Sequence, residues 1–383
     1  MKISVVILHY QAEPFLHLCL DSVRRAARRF ERDSSNETEI FVADNHSIDF
    51  DVQEWKKTYP DVLFERYEKN LGFAAGNNRA VRSARGDYVL LLNPDTVVPE
   101  DLLVQLKELI LRRPDSGIVG VRLIDGRGRF LPESKRNLPS LAGAVAKLTG
   151  ADKIFSFPLF KPYYNMRLAE DECGPNDVFV GAFMFFKRKD FLVTGGFDER
   201  FFMYGEDIDL SRRFKEAGKQ GYYCGKLKAL HFKGESTPKT PRYRKYFIEA
   251  AQLYNRKHSP RRAFLLNFFT SFLLRAKFWK ENLKKIFAPS SPAGLPSSAD
   301  LFDRYVAQAV TPMELEETGL PAPGTLIVFD TSRASYASML DFMVRRRKKN
   351  YRYRFYLPAR FLIIGSDSSL SRGEVLTSPK RNE

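Results

Sequence analysis

The chain is poor in cysteine. Its three thiols, Cys19, Cys173 and Cys224, are odd in number, widely spaced and never in a C-x-x-C pair, so neither a disulfide framework nor a zinc site is indicated. No uninterrupted apolar stretch reaches the roughly 20 residues of a membrane span. The first apolar run, Ile3–Leu8, is too short for the core of a signal peptide, and no small-residue cleavage site follows it. These absences point to a cytoplasmic, reducing location. No internal repeat, Walker A loop or Rossmann fingerprint is present. Acidic residues are also outnumbered, 46 against 62 Lys and Arg, for a net charge of +16. The deficit is local: between Lys239 and Phe287 there are 13 Lys or Arg against two Glu, a local +11. Such a surface suits an anionic partner, whether membrane lipid, nucleic acid or a phosphorylated acceptor.

What is present is globular, with 44% hydrophobic residues and a chain long enough for a sizeable core. The first third alternates strand and helix. Ile3–Leu8 reads as a strand buried on both faces, Glu13–Arg29 as a helix, and Glu39–Ala43, Val62–Tyr67, Tyr88–Leu92 and Gly117–Val121 as further strands. Repeated βα units predict an α/β fold with a mainly parallel sheet flanked by helices. Ligands of such folds lie beyond the carboxyl ends of the strands, where His9-Tyr10, Asp44-Asn45 and Asn93-Pro94-Asp95 fall. Residues 122–176 read as a loop region over the site. The expected organisation is a catalytic domain over 1–240, a basic amphipathic helical segment over 241–288, a Pro/Ser-rich linker over 289–324, and a small βαβ-like unit over 325–383.

Two acidic sites carry the chemistry. Asp95 closes an apolar run and suits a divalent metal bridging diphosphate oxygens, although Asn-Pro-Asp is also good turn chemistry. Glu206, Asp207 and Asp209 open a helix 112 residues beyond Asp95, counted to Asp207. They suit a general base, or they complement the helix dipole. Asn70–Asn78 places two glycines before a helix, where backbone amides can approach a phosphate or ribose, or simply make a flexible turn. Arg261–Phe287 gathers Leu265, Phe268, Phe269, Phe272 and Trp279 on one helical face, with Asn267, Ser271 and Arg275 on the other. That pattern fits an interfacial membrane helix and, equally, a helix packed on the catalytic domain. Tyr351, Tyr353 and Tyr356 interleave with basic residues, yet no nucleic-acid motif accompanies them, so no nucleic acid is expected.

The ordered set Val5–Tyr10, Val42–Asp49, Asn70–Phe73, Leu92–Thr96, Gly181-Ala182, Gly195–Asp198 and Gly205–Leu210 resembles the family-2 inverting glycosyltransferases of the GT-A fold, in particular their bacterial rhamnosyltransferase-like branch. The resemblance covers roughly residues 1–240. It implies that Tyr10, Asp44, Asn70, Gly72 and Asn93 bind the nucleotide sugar and that Asp95 and His231 hold Mg²⁺ or Mn²⁺. It implies further that Asp207 is the catalytic base and that Gly181, Ala182, Glu206 and Asp209 face the acceptor. The implied donor is a nucleoside-diphosphate sugar and the implied acceptor a glycan; a polyprenyl-linked acceptor and an anionic membrane surface, on the inner face of the cell membrane, are what the basic amphipathic helix would suit. Asn93 stands where the family's metal motif often has its first Asp. Two other readings compete. A nucleotidyltransferase would carry a basic, glycine-rich loop after the first strand, where His9-Tyr10-Gln11-Ala12-Glu13-Pro14 stands instead. A non-catalytic membrane-bound scaffold would explain the basic helix but leaves two acidic sites unexplained.

Overall fold

Ile3–Leu8, apolar on both faces, becomes the centre of a nine-stranded sheet. The computed structural model describes residues 1–139, 163–235, 241–268, 271–272, 274–275, 298–367 and 373–378. Parts of the loop expected over 122–176 and of the helix expected over 261–287 therefore lie outside the described residues. The first elements are β1 (Lys2–His9), α1 (Glu13–Phe30), β2 (Glu37–Asp44), α2 (Val52–Thr58), β3 (Leu63–Arg66), α3 (Gly72–Ser83), β4 (Tyr88–Leu92) and β5 (Thr96–Val97). There follow α4 (Leu102–Arg112), β6 (Val119–Ile124), β7 (Cys173–Pro175), β8 (Phe183–Lys187), α5 (Arg188–Val193), α6 (Glu206–Glu216), β9 (Tyr222–His231) and α7 (Pro241–His258).

The sheet runs β3-β2-β1-β4-β8-β6-β9-β5, with β7 on β9. Six strands point one way, and β5, β7 and β8 oppose them. This is the helix-flanked, mostly parallel α/β sheet expected from the sequence. Side chains alternate between two cores. Ile3, Val5 and Ile7 pack with α1 and α4, whereas Val6, Val89 and Leu91 pack with α3, α5 and α6. Cys173 and Cys224 face each other across β7 and β9 as free thiols, their Sγ atoms 2.6 Å apart. Their 51-residue separation hides this apposition from the sequence.

The C-terminal part departs from the expected linker and βαβ unit. Residues 298–318, expected as linker, form α8 (Ser298–Ala307), β10 (Ala309–Val310) and α9 (Pro312–Thr318). They join β11 (Leu326–Asp330), α10 (Tyr336–Arg346), β12 (Arg352–Leu357), β13 (Leu362–Gly365) and β14 (Glu374–Thr377). The five strands form a second sheet in the order β10-β11-β12-β13-β14. Tyr351 and Tyr353 are core residues of this unit, and Tyr356 lies against Phe302. Burial of the Tyr351 and Tyr353 rings removes the exposed surface that base stacking would need.

This unit is not a tail. Phe15, Leu18, Val97, Ile124, Leu230 and Phe232 of the first part share one core with Phe329, Tyr336, Phe342 and Phe355. The Tyr336 hydroxyl donates to Asp21 at 2.7 Å, and the Glu100 carboxylate accepts the Tyr336 and Ala337 amides at 2.8 and 3.0 Å. A carboxylate of one part thus caps a helix of the other, where the dipole favours it. At Gly126 the two backbones touch: a Cβ there would lie 1.9 Å from the Ser366 carbonyl oxygen. Phe232 sits in this seam between Phe15 and Phe355, its ring 5.1 and 6.0 Å from theirs. Phe232→Ala should cost about 3–5 kcal/mol in denaturant unfolding, with both parts unfolding in one transition. Two separate transitions in the wild type would show that the seam does not couple them.

Candidate active site

Strand direction decides which residues meet. β1, β2, β4 and β9 end at the same edge of the sheet, which brings His9, Asp44, Asn93 and His231 to one side. β8 runs the other way and begins there, so Gly181 and Ala182 enter the same edge; the Asn93 amide donates to the Ala182 carbonyl at 3.1 Å. Strand β9 was not legible in advance, because Gly225, Lys226 and Lys228 interrupt its apolar pattern.

The β5–β9 pairing sets Asp95 against His231. Thr96 is paired with His231, and the Phe232 amide donates to the Asp95 carbonyl at 3.0 Å. His231 Nε2 lies 3.3 Å from Asp95 Oδ1. Both side chains are buried, yet Asp95 Oδ1 and His231 Nδ1 have no hydrogen-bond partner among the described residues. Buried polar atoms without partners are costly and call for a ligand. A carboxylate oxygen and an imidazole meeting with such unused capacity fit a divalent cation. No group of three such side chains occurs among the described residues. Glu133 stands nearby. Burial raises its carboxyl, but Lys233, with His231 as a smaller contributor, more than offsets this and holds it below the usual range.

Tyr204 and Gly205, both left-handed with φ of 70° and 82°, turn the chain into α6. The three acids that open this helix meet different surroundings. Asp207 is bound by a residue the sequence did not single out: Arg136 Nη2 donates to its Oδ2 at 2.6 Å, while the Ile208 amide donates to its Oδ1 at 2.8 Å. Arg136 is itself held by the Phe179 carbonyl at 2.9 Å and the Tyr163 hydroxyl at 3.0 Å. Burial alone would weaken its proton affinity, but the Asp207 charge reverses this and keeps the guanidinium charged. Glu206 is buried, with Oε2 lacking a partner among the described residues. Burial, then the Asp207 charge, push its carboxyl well above the ordinary range. Gly181 lies beside this cluster; a Cβ on it would stand 3.9 Å from that of Asp207 and 2.9 Å from the Phe73 ring.

Asp209 does not face an acceptor. Its carboxylate is fully buried and bound by Lys257 at 2.8 Å, His258 at 2.7 Å and Arg213 at 2.8 Å. Burial raises its proton affinity; hydrogen bonds from Lys257, His258 and Arg213 and the Arg213 charge more than offset the rise, holding it below the usual range. Helix geometry explains the correction: at about 100° per residue, Asp209 points roughly 160° away from Asp207. Asp209 ties α6 to α7.

The nucleotide-side residues lie around the ends of β1 and β2. The Ala12 amide donates to His9 Nε2 at 3.1 Å, so the ring proton sits on Nδ1 and is donated to Asp44 at 3.0 Å. Ser47 and Arg66 complete the shell around Asp44, whose side chain has no exposed area. In this conformation Asp44 braces the strand end. Asn70 Oδ1 accepts the Gly72 amide at 2.8 Å and Asn45 Nδ2 at 3.0 Å. Gly72 has φ +80°, and a Cβ there would lie 2.5 Å from the Phe202 carbonyl oxygen. Its loop thus packs directly on the segment leading into α6. Tyr10, half-buried, follows His9 at the same corner.

A carboxyl held neutral by burial makes stability depend on pH. The raised folded-state affinity of Glu206 contributes stability that is fully present below its unfolded value, near 4.3, and is lost as pH rises toward its folded value. Relative to Glu206→Gln, the wild type should lose up to about 1.4 kcal/mol per pH unit above pH 5. Melting temperatures of the two proteins from pH 5 to 8 check this; a constant difference would place Glu206 in an ordinary environment.

Residues 4–193 match glycosyl transferase family 2, and residues 170–236 match the N-terminal domain of galactosyltransferase. The chain is 30% identical over 251 residues to an N-acetylglucosaminyl-diphospho-decaprenol L-rhamnosyltransferase of Mycobacterium tuberculosis, covering 62% of this chain and 78% of that one. It is 32% identical over 171 residues to the rhamnosyltransferase WbbL of Escherichia coli, covering 42% and 61%. Among solved structures, S. aureus TarS 1–349 in complex with UDP-GlcNAc overlaps with a TM-score of 0.45 at 17% identity, covering 66% of this chain and 65% of that one. The chain belongs to glycosyl transferase family 2, with rhamnosyltransferases among its relatives.

Proposed function

We propose that the protein transfers a sugar, with rhamnose the first candidate, from a nucleoside-diphosphate donor to a hydroxyl of a diphospho-polyprenyl-linked glycan, inverting the sugar carbon. The observation that carries this reading is the meeting, at one sheet edge, of the Asp95–His231 pair and the Arg136-bound Asp207, joined by Gly181-Ala182. The choice of sugar and acceptor comes from the names of the relatives.

Asp207 takes the proton of the acceptor hydroxyl. The oxygen so released forms the new bond to the anomeric carbon as the bond to the diphosphate oxygen breaks on the opposite face. The proton ends on Asp207, and the electron pair leaves with the nucleoside diphosphate. Arg136 fixes the direction of Asp207 Oδ2 and supplies positive charge among neighbouring carboxyls. Glu206, kept neutral, adds no further negative charge where the hydroxyl must approach. Asp95 and His231 are the residues that would hold Mg²⁺ or Mn²⁺, which supplies positive charge to the leaving diphosphate. Tyr10, Asn70, Gly72 and Asn93 line the donor side in this reading, and Gly181 and Ala182 the acceptor side.

Donor hydrolysis across a panel of nucleotide sugars, with Mg²⁺ or Mn²⁺, tests the reading. Asp207→Asn should lose at least about a thousandfold in turnover while donor affinity changes little. Near-wild-type turnover in that variant would remove Asp207 from the base role. Asp95→Ala should weaken Mn²⁺ binding in the presence of nucleoside diphosphate, read by calorimetry. Arg136→Met, which strands a buried carboxylate, should cost about 3–5 kcal/mol of stability as well as turnover. Full activity with unchanged stability would show that the pair is dispensable.

A further inference from the structure

The helical residues after α7 pack the opposite way from a helix that belongs to a core. Ala263 and Leu274 are buried, and on the same side Asn267 Oδ1 accepts from Asn255 and Ser271 Oγ from Gln252, both at 3.0 Å, the two donors lying on α7. The small and polar side therefore faces the protein. The large apolar side faces out: Phe264 is 84% exposed, Leu265 59%, Phe268 65% and Phe272 64%. Four such side chains within nine residues form an apolar patch that marks an interaction surface. Sequence reading left membrane contact and packing on the domain as alternatives. The side packed on α7 is the small, polar one, and the large apolar side is left outward.

Charge selects the occupant. Arg261, Arg262 and Arg275 are exposed and make no ion pair among the described residues. In sequence, Lys277, Lys280, Lys284 and Lys285 follow against one acid, Glu281. A second copy of this chain would bring the same positive charge against itself, whereas a bilayer of anionic phospholipid supplies phosphates for the arginines and an acyl boundary for the rings. Among the described residues no helix is long and apolar enough to cross a membrane, so contact would be lateral.

We propose that the face formed by Phe264, Leu265, Phe268 and Phe272 with Arg261, Arg262 and Arg275 docks the protein on an anionic phospholipid bilayer. The proposal deepens the reading of a lipid-linked acceptor and rests on it. The docking helix lies on α7, and α7 in turn holds the catalytic segment. Tyr246 packs on Phe202 and Phe247 on Tyr204, while Lys257 and His258 grip Asp209. The bilayer, the docking helix, α7 and α6 thus form successive layers. Docking would set the height of Asp207 above the lipid surface, where a diphospho-linked acceptor presents its hydroxyl.

The test is flotation of the full chain with phosphatidylcholine vesicles, with and without phosphatidylglycerol. The wild type should float with the anionic vesicles and only weakly with the neutral ones. Phe264→Ser with Phe272→Ser should lower the partition coefficient at least about tenfold. Arg261→Gln with Arg262→Gln should lower it by roughly fivefold per charge and flatten its salt dependence. Circular dichroism, melting temperature and donor affinity in solution should not move in either variant. Failure of the wild type to float, or equal flotation of the variants, overturns the proposal. So does a dimer in light scattering that the Phe variant abolishes without any vesicle binding. A chain that floats but binds no nucleotide sugar sinks the transferase reading alone; one that binds donor but does not float sinks the docking surface alone.

Discussion

The candidate site depends on one buried ion pair, Arg136 with Asp207. Three carboxyls within four residues at the start of a helix cannot all be ionised and buried without compensating charge. The protein resolves the conflict in three ways. Asp207 is paired with a guanidinium that is itself anchored to a carbonyl and a tyrosine. Glu206, with no cation of its own, is held neutral. Asp209 turns away and is matched by three basic side chains. Without Arg136 the burial that shields the site from water would be incompatible with a charged base.

The same logic governs the other acidic position. Asp95 and His231 lie 136 residues apart in sequence, and they meet because a two-residue strand, β5, pairs with the end of β9. The buried atoms left without partners there and at Glu206 are concentrated at the sheet edge where substrate is expected to lie. Such atoms are where incoming groups would gain most.

Much of this was legible in the sequence. Continuous apolar runs such as Ile3–Leu8 and Tyr88–Leu92 announce central strands, and their ends locate Asn93 and Asp95 at the ligand-bearing edge. What stayed hidden has physical causes. β5 is too short to show a period, and β9 is broken by glycine and lysine. Arg136 follows Lys135 in an irregular stretch, its partner 71 residues away, so no spacing rule could have found it. The different orientation of Asp209 was available from helix geometry once α6 was placed. The alternation of Tyr351 and Tyr353 with arginine looks like an exposed basic surface, but both rings are core residues and Arg354 is neutralised by Asp367 and Glu374.

The seam between the two sheets bears on how such enzymes can be recombined. Glu100 belongs to the first half and the amides it caps belong to the second, and at Gly126 only a hydrogen atom fits beneath the Ser366 carbonyl. A graft that replaces the donor-binding half with that of a relative would bring a foreign surface to this contact. One misplaced carboxylate or one added methyl group would then lift the second half away. Exchange of sugar specificity between such chains is therefore better attempted by transplanting individual loops at the sheet edge than by swapping domains, since the loops carry the chemistry and the halves carry each other.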